Sequence, residues 1–132
     1  MVSTFQSTTT ITWPISQVYS FLADLNNHTQ LMPDNVTDWK STQTEATFTI
    51  KNMAKLALSL TSKTENTEIL IASTNPSPFE VIMRWTLSPL DGQTLVNLNL
   101  DAQLTTMMKM LASTALQKLV DYQTDTLKTL LT

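Results

Sequence analysis

Two hydrophobic periods divide the chain. Residues 2–12 are rich in Thr and β-branched side chains, with Phe5 and Ile11 on one parity, and predict a first strand that Trp13-Pro14 stops. From Ile15 the spacing lengthens. Ile15, Val18, Tyr19, Leu22 and Leu25 recur at three and four residues, the period of an amphipathic helix. Pro14 suits the first helical position, where its missing N–H costs nothing. Asn26-Asn27 interrupts, and His28 to Met32 predicts a second short helix ended before Pro33.

After Pro33 the period falls to two. Ala46, Phe48 and Ile50 alternate with Thr47, Thr49 and Lys51, and Leu56, Leu58 and Leu60 with Ala57, Ser59 and Thr61; Ile69 and Ile71 follow. Phe79, Val81, Met83, Trp85 and Leu87 share one parity, with Glu80, Ile82, Arg84, Thr86 and Ser88 on the other. Val96, Leu98, Leu100, Ala102 and Leu104 alternate with Asn97, Asn99, Asp101 and Gln103. Turn signals fall at Glu65-Asn66, Asn75-Pro76-Ser77-Pro78 and Asp91-Gly92. The pattern predicts an antiparallel meander with one buried and one wet face.

From Thr105 onward no Gly or Pro appears. Met108, Leu111, Ala115, Leu119, Tyr122 and Leu127 trace one helical stripe, and a helix over 105–131 would be about 40 Å long. Such a helix needs an apolar surface of matching length. The inner face of the meander supplies one, which predicts the long helix lying across it.

Composition narrows the chemistry. The chain has 132 residues, a length suited to one domain spanning 1–132. It has no Cys, one His and one Gly. Those counts exclude disulfide scaffolds, thiolate metal sites, cysteine nucleophiles, sites needing two imidazoles and Gly-rich phosphate cradles. A net charge of −3 argues against general nucleic-acid binding. The 24 threonines are accounted for by strands whose outer face meets water. No basic and apolar leader opens the sequence and no stretch approaches 18 apolar residues, so the expected location is the cytoplasm.

Individual polar residues carry little specific signal. His28 is the one imidazole and the obvious general base, yet its Asn-Asn-His-Thr-Gln context predicts an exposed structural residue, and no spacing singles out a triad with Asp24, Asp38, Ser20 or Ser41. Arg84, the one arginine, alternates with Met83 and Trp85 and so points outward, where Glu80 on the same face and Asp101 are the candidate partners of a surface ion pair. Glu65/Glu68, Asp121/Asp125 and Asp34/Asp38 read as solvated surface pairs, and no metal site is expected.

The order of elements nevertheless resembles a known arrangement. Strand, two short helices, six-strand meander and long C-terminal helix is similar to the helix-grip fold of the START-like (SRPBCC) superfamily, nearest to its polyketide cyclase/dehydrase-like and CoxG-like members. The segment Ile11-Thr12-Trp13-Pro14-Ile15-Ser16-Gln17-Val18-Tyr19-Ser20-Phe21-Leu22-Ala23-Asp24 resembles that superfamily's entry motif, and His28-Thr29-Gln30-Leu31-Met32-Pro33 its second short helix. Trp13 stands where a small residue is usual, and Gln17 where Glu is frequent.

The resemblance implies an α+β fold: a curved antiparallel seven-stranded sheet wrapped around the C-terminal helix, with two short helices after the first strand. It also implies a cavity between sheet and helix for a small hydrophobic or aromatic molecule, lipid-like or polyketide-like. On the predicted faces, Phe48, Ile50, Leu58, Phe79, Met83, Trp85, Leu98, Met108, Leu111, Ala115, Leu119 and Tyr122 would line it. Met53, Met107 and Met110 fall on or near the same faces, and methionine suits surfaces that repack around varied apolar guests. The expected function is non-catalytic binding, without cofactor or metal, by a monomer or weak homodimer. One alternative is a cyclase/dehydrase-type enzyme using Tyr19, Tyr122 or His28. Another is a protein-interaction module with a filled core, using a sheet edge or a helix end.

Overall fold

The computed structural model describes residues 2–75 and 77–131. Along the chain run β1 (Val2–Ile11), α1 (Ile15–Leu22), a 3₁₀ helix (Leu25–Leu31), β2 (Val36–Ser41), β3 (Glu45–Ile50), β4 (Ala54–Thr64), β5 (Glu68–Thr74), β6 (Val81–Leu90), β7 (Gln93–Gln103) and α2 (Thr106–Leu130). The strands form one antiparallel sheet in the order β1-β7-β6-β5-β4-β3-β2, curled into a half-barrel. This is the expected α+β helix-grip architecture.

Local chemistry sets the element ends. Pro14 stands one position earlier than expected, as the extended residue just before α1. Asp24 opens the 3₁₀ helix by accepting from the Asn26 N–H at 2.9 Å. Thr105 does the same for α2, accepting from the Met108 N–H at 3.2 Å. At the β6–β7 turn, Asp91 (φ 48°) and Gly92 (φ 81°) are both left-handed, as the twist of a two-residue hairpin requires. Asn66 (φ 59°) turns β4 into β5, and Asn52 (φ 63°) turns β3 into β4.

The period-two pattern is realised on the inner face. Phe48, Ile50, Leu58, Val81, Met83, Trp85, Leu98 and Leu100 are all buried. Leu60, expected beside them, is half-buried because β4 shifts register between Leu60 and Ser62. Phe79 is buried although it lies before the first residue of β6. Ala57 is buried on the opposite parity, because the Ser77 hydroxyl sits on its backbone, accepting from its N–H at 3.1 Å. In β2, register shifts around Asp38 (φ 57°), and the following Trp39 stacks on Phe48 with centroids 5.2 Å apart. Trp39 then donates through Nε1 to Ser41, whose hydroxyl donates to Asn26 and ties the edge strand to the 3₁₀ helix.

The long helix is one uninterrupted element of 25 residues, about 38 Å at 1.5 Å per residue. It packs on β1, β7 and the 3₁₀ helix, while α1 covers β5, β6 and β7. Its buried face differs from the expected stripe. Ala112, Leu116, Leu119, Val120, Gln123, Thr124 and Leu127 are buried; Leu111 is 71 % exposed and Tyr122 42 %. Met107 and Met110 also point to solvent. The face is displaced by about one residue, roughly 100° of rotation. The reason lies in polar partners: Thr124 shares a hydroxyl hydrogen bond with Ser7 of β1, and Gln117 donates to the Gln6 carbonyl at 3.0 Å. These contacts turn small and polar residues toward the sheet.

Candidate functional site

Rotation of α2 carries part of the expected lining to the helix's flank. Ala115, Leu119 and Tyr122, with Lys118, Asp121 and Asp125, form one wall of a groove; Pro33 and Asn35, between the 3₁₀ helix and β2, form the other. The groove encloses about 500 Å³. Its walls are mainly apolar, and no ion pair within 4.0 Å neutralises Lys118 or Asp125 among the described residues. Asp121 accepts from Gln117 at 3.1 Å. The arrangement offers an apolar slot with charges at its rim, in the size range of small-ligand sites.

The two segments that carry these walls touch through Gln123 and Met32. Gln123, next in sequence to Tyr122 and one turn from Leu119, has no exposed surface. Its Nε2 points at the Met32 sulfur at 3.8 Å, and its Oε1 has no partner among the described residues. An unpaired buried amide oxygen costs about 1–3 kcal/mol. Among the described residues, Ser3 Oγ and Trp85 Nε1 are the other buried side-chain polar atoms left unpaired.

Little accessible area remains on the lining expected between the sheet and the helices. Trp85 and Leu98 have none, and Phe48, Ile50, Leu58, Met83 and Phe79 keep between 2 and 8 %. All seven belong to one buried hydrophobic cluster. Met108 is half-buried against the same core, and Leu111 faces water. A larger, shallower concavity of about 670 Å³ lies at the end of the sheet, where β5 stops short of β4. Met53, Ala54, Lys55, Asn75, Ser77 and Pro78 line it, and none of the twelve expected residues takes part.

His28 is placed differently from expectation. It is buried beneath the α1–3₁₀ junction, with Nε2 2.8 Å from the Leu22 carbonyl. A carbonyl only accepts, so Nε2 carries the proton of a neutral imidazole. Its ring meets Trp85 edge to face. Burial holds its pKa below the ordinary histidine value, outweighing the Leu22 hydrogen bond and the Asp24 charge. The sequence context suggests an exposed loop residue; the ring is instead held inside between the Leu22 carbonyl and the edge of Trp85.

The three residues considered for proton transfer are not joined by hydrogen bonds. His28 is committed to Leu22, Tyr19 is half-buried on α1, and Tyr122 stands at the groove rim. Arg84 points outward as expected, but its ion-pair partner is Glu68 at 3.5 Å, not Glu80 or Asp101. With the Arg84 side chain 51 % exposed, this pair is a minor contributor to stability. Among the described residues no three His, Asp or Glu side chains cluster as a metal site, and no helix is long and apolar enough to cross a membrane.

No family model and no curated protein matches the chain. Solved structures do. The KanY protein, known from a solution structure, is 14 % identical over 99 % of this chain and 98 % of its own, with a TM-score of 0.80. A START superfamily protein from Mycobacterium smegmatis is 15 % identical over 97 % of this chain and 96 % of its own, with a TM-score of 0.71. The Zhui aromatase/cyclase from a Streptomyces species is 12 % identical over 98 % and 93 %, with a TM-score of 0.70. At these identities the likeness is one of fold, and with the strand order and the long helix it leads to one conclusion: the chain has the START-like helix-grip fold.

Proposed function

We propose that the protein is a non-catalytic binder of a small hydrophobic or aromatic molecule, and that the guest lies in the groove between α2 and Pro33–Asn35 rather than in a sealed interior cavity. The groove itself carries the reading: about 500 Å³ of mainly apolar slot, built on Ala115, Leu119 and Tyr122. The fold neighbours support a ligand-binding architecture of this kind. Burial of apolar guest surface drives association, at about 25 cal/mol per Å². Titration of ¹⁵N-labelled protein with naphthalene or dodecanoate tests it. Saturable shifts centred on Asn35, Ala115, Leu119 and Tyr122 are expected. Their absence with both compounds overturns the reading.

A second reading, an interaction module with a filled core, draws on a separate observation. Met107, Met110 and Leu111 are 73, 82 and 71 % exposed, an apolar patch on the first turns of α2. Shifts that depend on protein concentration and gather on 107–111, with no response to either small molecule, would favour it.

A further inference from the structure

The Gln123 amide is an unusual residue to close inside a mainly apolar helix–helix contact. It has no exposed surface, its oxygen is unpaired, and its nitrogen has only the Met32 thioether at 3.8 Å. A thioether is a weak acceptor. Reversing the amide leaves the same deficit, since one end then lacks any partner and the other faces sulfur. Buried side-chain amides are otherwise almost always paired. Gln123 is next in sequence to Tyr122 and one turn after Leu119, and Met32 immediately precedes Pro33, so their contact joins the two segments that carry the groove walls. Met32 is half-buried, and methionine is the side chain that most readily changes rotamer to vacate space.

We propose that Gln123 is the polar anchor of the groove, that Met32 is the plug over it, and that the ligand carries a hydrogen-bond donor and acceptor side by side. A primary amide, a lactam or a protonated carboxylic acid on an apolar body has this pattern. Such a group pairs with both ends of the Gln123 amide at once, once the Met32 side chain swings aside. Pro33, Ala115 and Leu119 receive the apolar body, and Tyr122 lies over it. This rests on the groove being the binding site, and it adds which chemistry the site selects.

Naphthalene and naphthalene-2-carboxamide serve as matched probes, followed by the side-chain NH₂ resonances of Gln123 in ¹⁵N-labelled protein. The carboxamide is expected to bind at least tenfold more tightly than naphthalene and to shift the Gln123 NH₂ pair, while naphthalene leaves that pair in place. In Gln123→Leu, which removes the unpaired oxygen, the preference is expected to fall to about one. In Met32→Ala, which removes the plug, carboxamide affinity is expected to rise. Equal affinity for both probes with an unmoved Gln123 resonance overturns the anchor and leaves the groove standing. No binding of either probe overturns both. The wild-type comparison decides the matter even if a variant does not fold.

Discussion

The His28 imidazole stands edge-on to the Trp85 indole, ring centroids 6.0 Å apart and planes at 83°. Trp85 has no accessible surface and His28 2 %, so the pair joins the 3₁₀ helix to the middle of the sheet. The contact couples protonation to packing. The folded imidazole has a pKa below its unfolded value, which is about 6.5. The unfolded chain therefore binds more protons, and stability rises with pH in that window. The contribution of neutral His28 is complete above about pH 6.5 and is lost as pH falls toward the folded value. Urea midpoints measured between pH 7.5 and 5.5 should decrease with acidification, and His28→Phe should flatten that slope. A wild-type midpoint constant across the range would contradict a buried neutral ring.

The phase of α2 has an energetic signature. Leu116 has no exposed surface, and Leu116→Ala should cost about 2–5 kcal/mol. Leu111, 71 % exposed, should tolerate alanine within about 0.5 kcal/mol. Met108, half-buried, should fall between them. Equal losses at 111 and 116, measured by chemical denaturation, would mean that the helix presents a different face.

Thr94 locks the start of β7 to the corner before α1. It is fully buried and donates to the Trp13 carbonyl at 2.9 Å. Thr94→Val keeps the shape and removes the donor, leaving that carbonyl unpaired. A loss of about 1–3 kcal/mol in unfolding free energy is expected. A neutral result would place the Trp13 carbonyl in contact with water.

Gly92 isolates backbone strain from crowding. A Cβ there meets nothing within 4 Å, yet φ is 81°. Gly92→Ala should cost about 1–2 kcal/mol through left-handed strain alone, and Gly92→Asn less. Thermal unfolding of the two variants gives the comparison, and an alanine variant as stable as wild type would contradict this turn geometry.

Much of the framework is legible in residue order because its causes are local. Alternation in Val96–Ala102 reports a half-buried strand, since successive side chains leave opposite faces of the pleat. Asp91-Gly92 reports a hairpin, since left-handed residues match strand twist. The groove was only partly visible. Ala115, Leu119 and Tyr122 stand out as apolar members of a helix stripe, but Pro33 and Asn35 carry no signal of their own and join the site only when α2 docks. Gln123 gives no signal in the sequence, because a glutamine in a helix reads as surface unless its burial is known.

The sequence by itself determined six of the seven strands, the two short helices, the long C-terminal helix and the outward Arg84, all of which follow from period, propensity and parity; β2 (Val36–Ser41), broken at Asp38, shows no alternation of its own. Tertiary structure alone decided the rotation of α2, the burial of His28 and the inward turn at Trp39. In each case the deciding partner is distant in sequence or a local break in regularity: Ser7 for Thr124, Trp85 for His28, the irregularity at Asp38 for Trp39. Periodicity records which side chains prefer to leave water. It does not record which polar ones are allowed to follow, because that depends on whether folding brings them a hydrogen-bond partner.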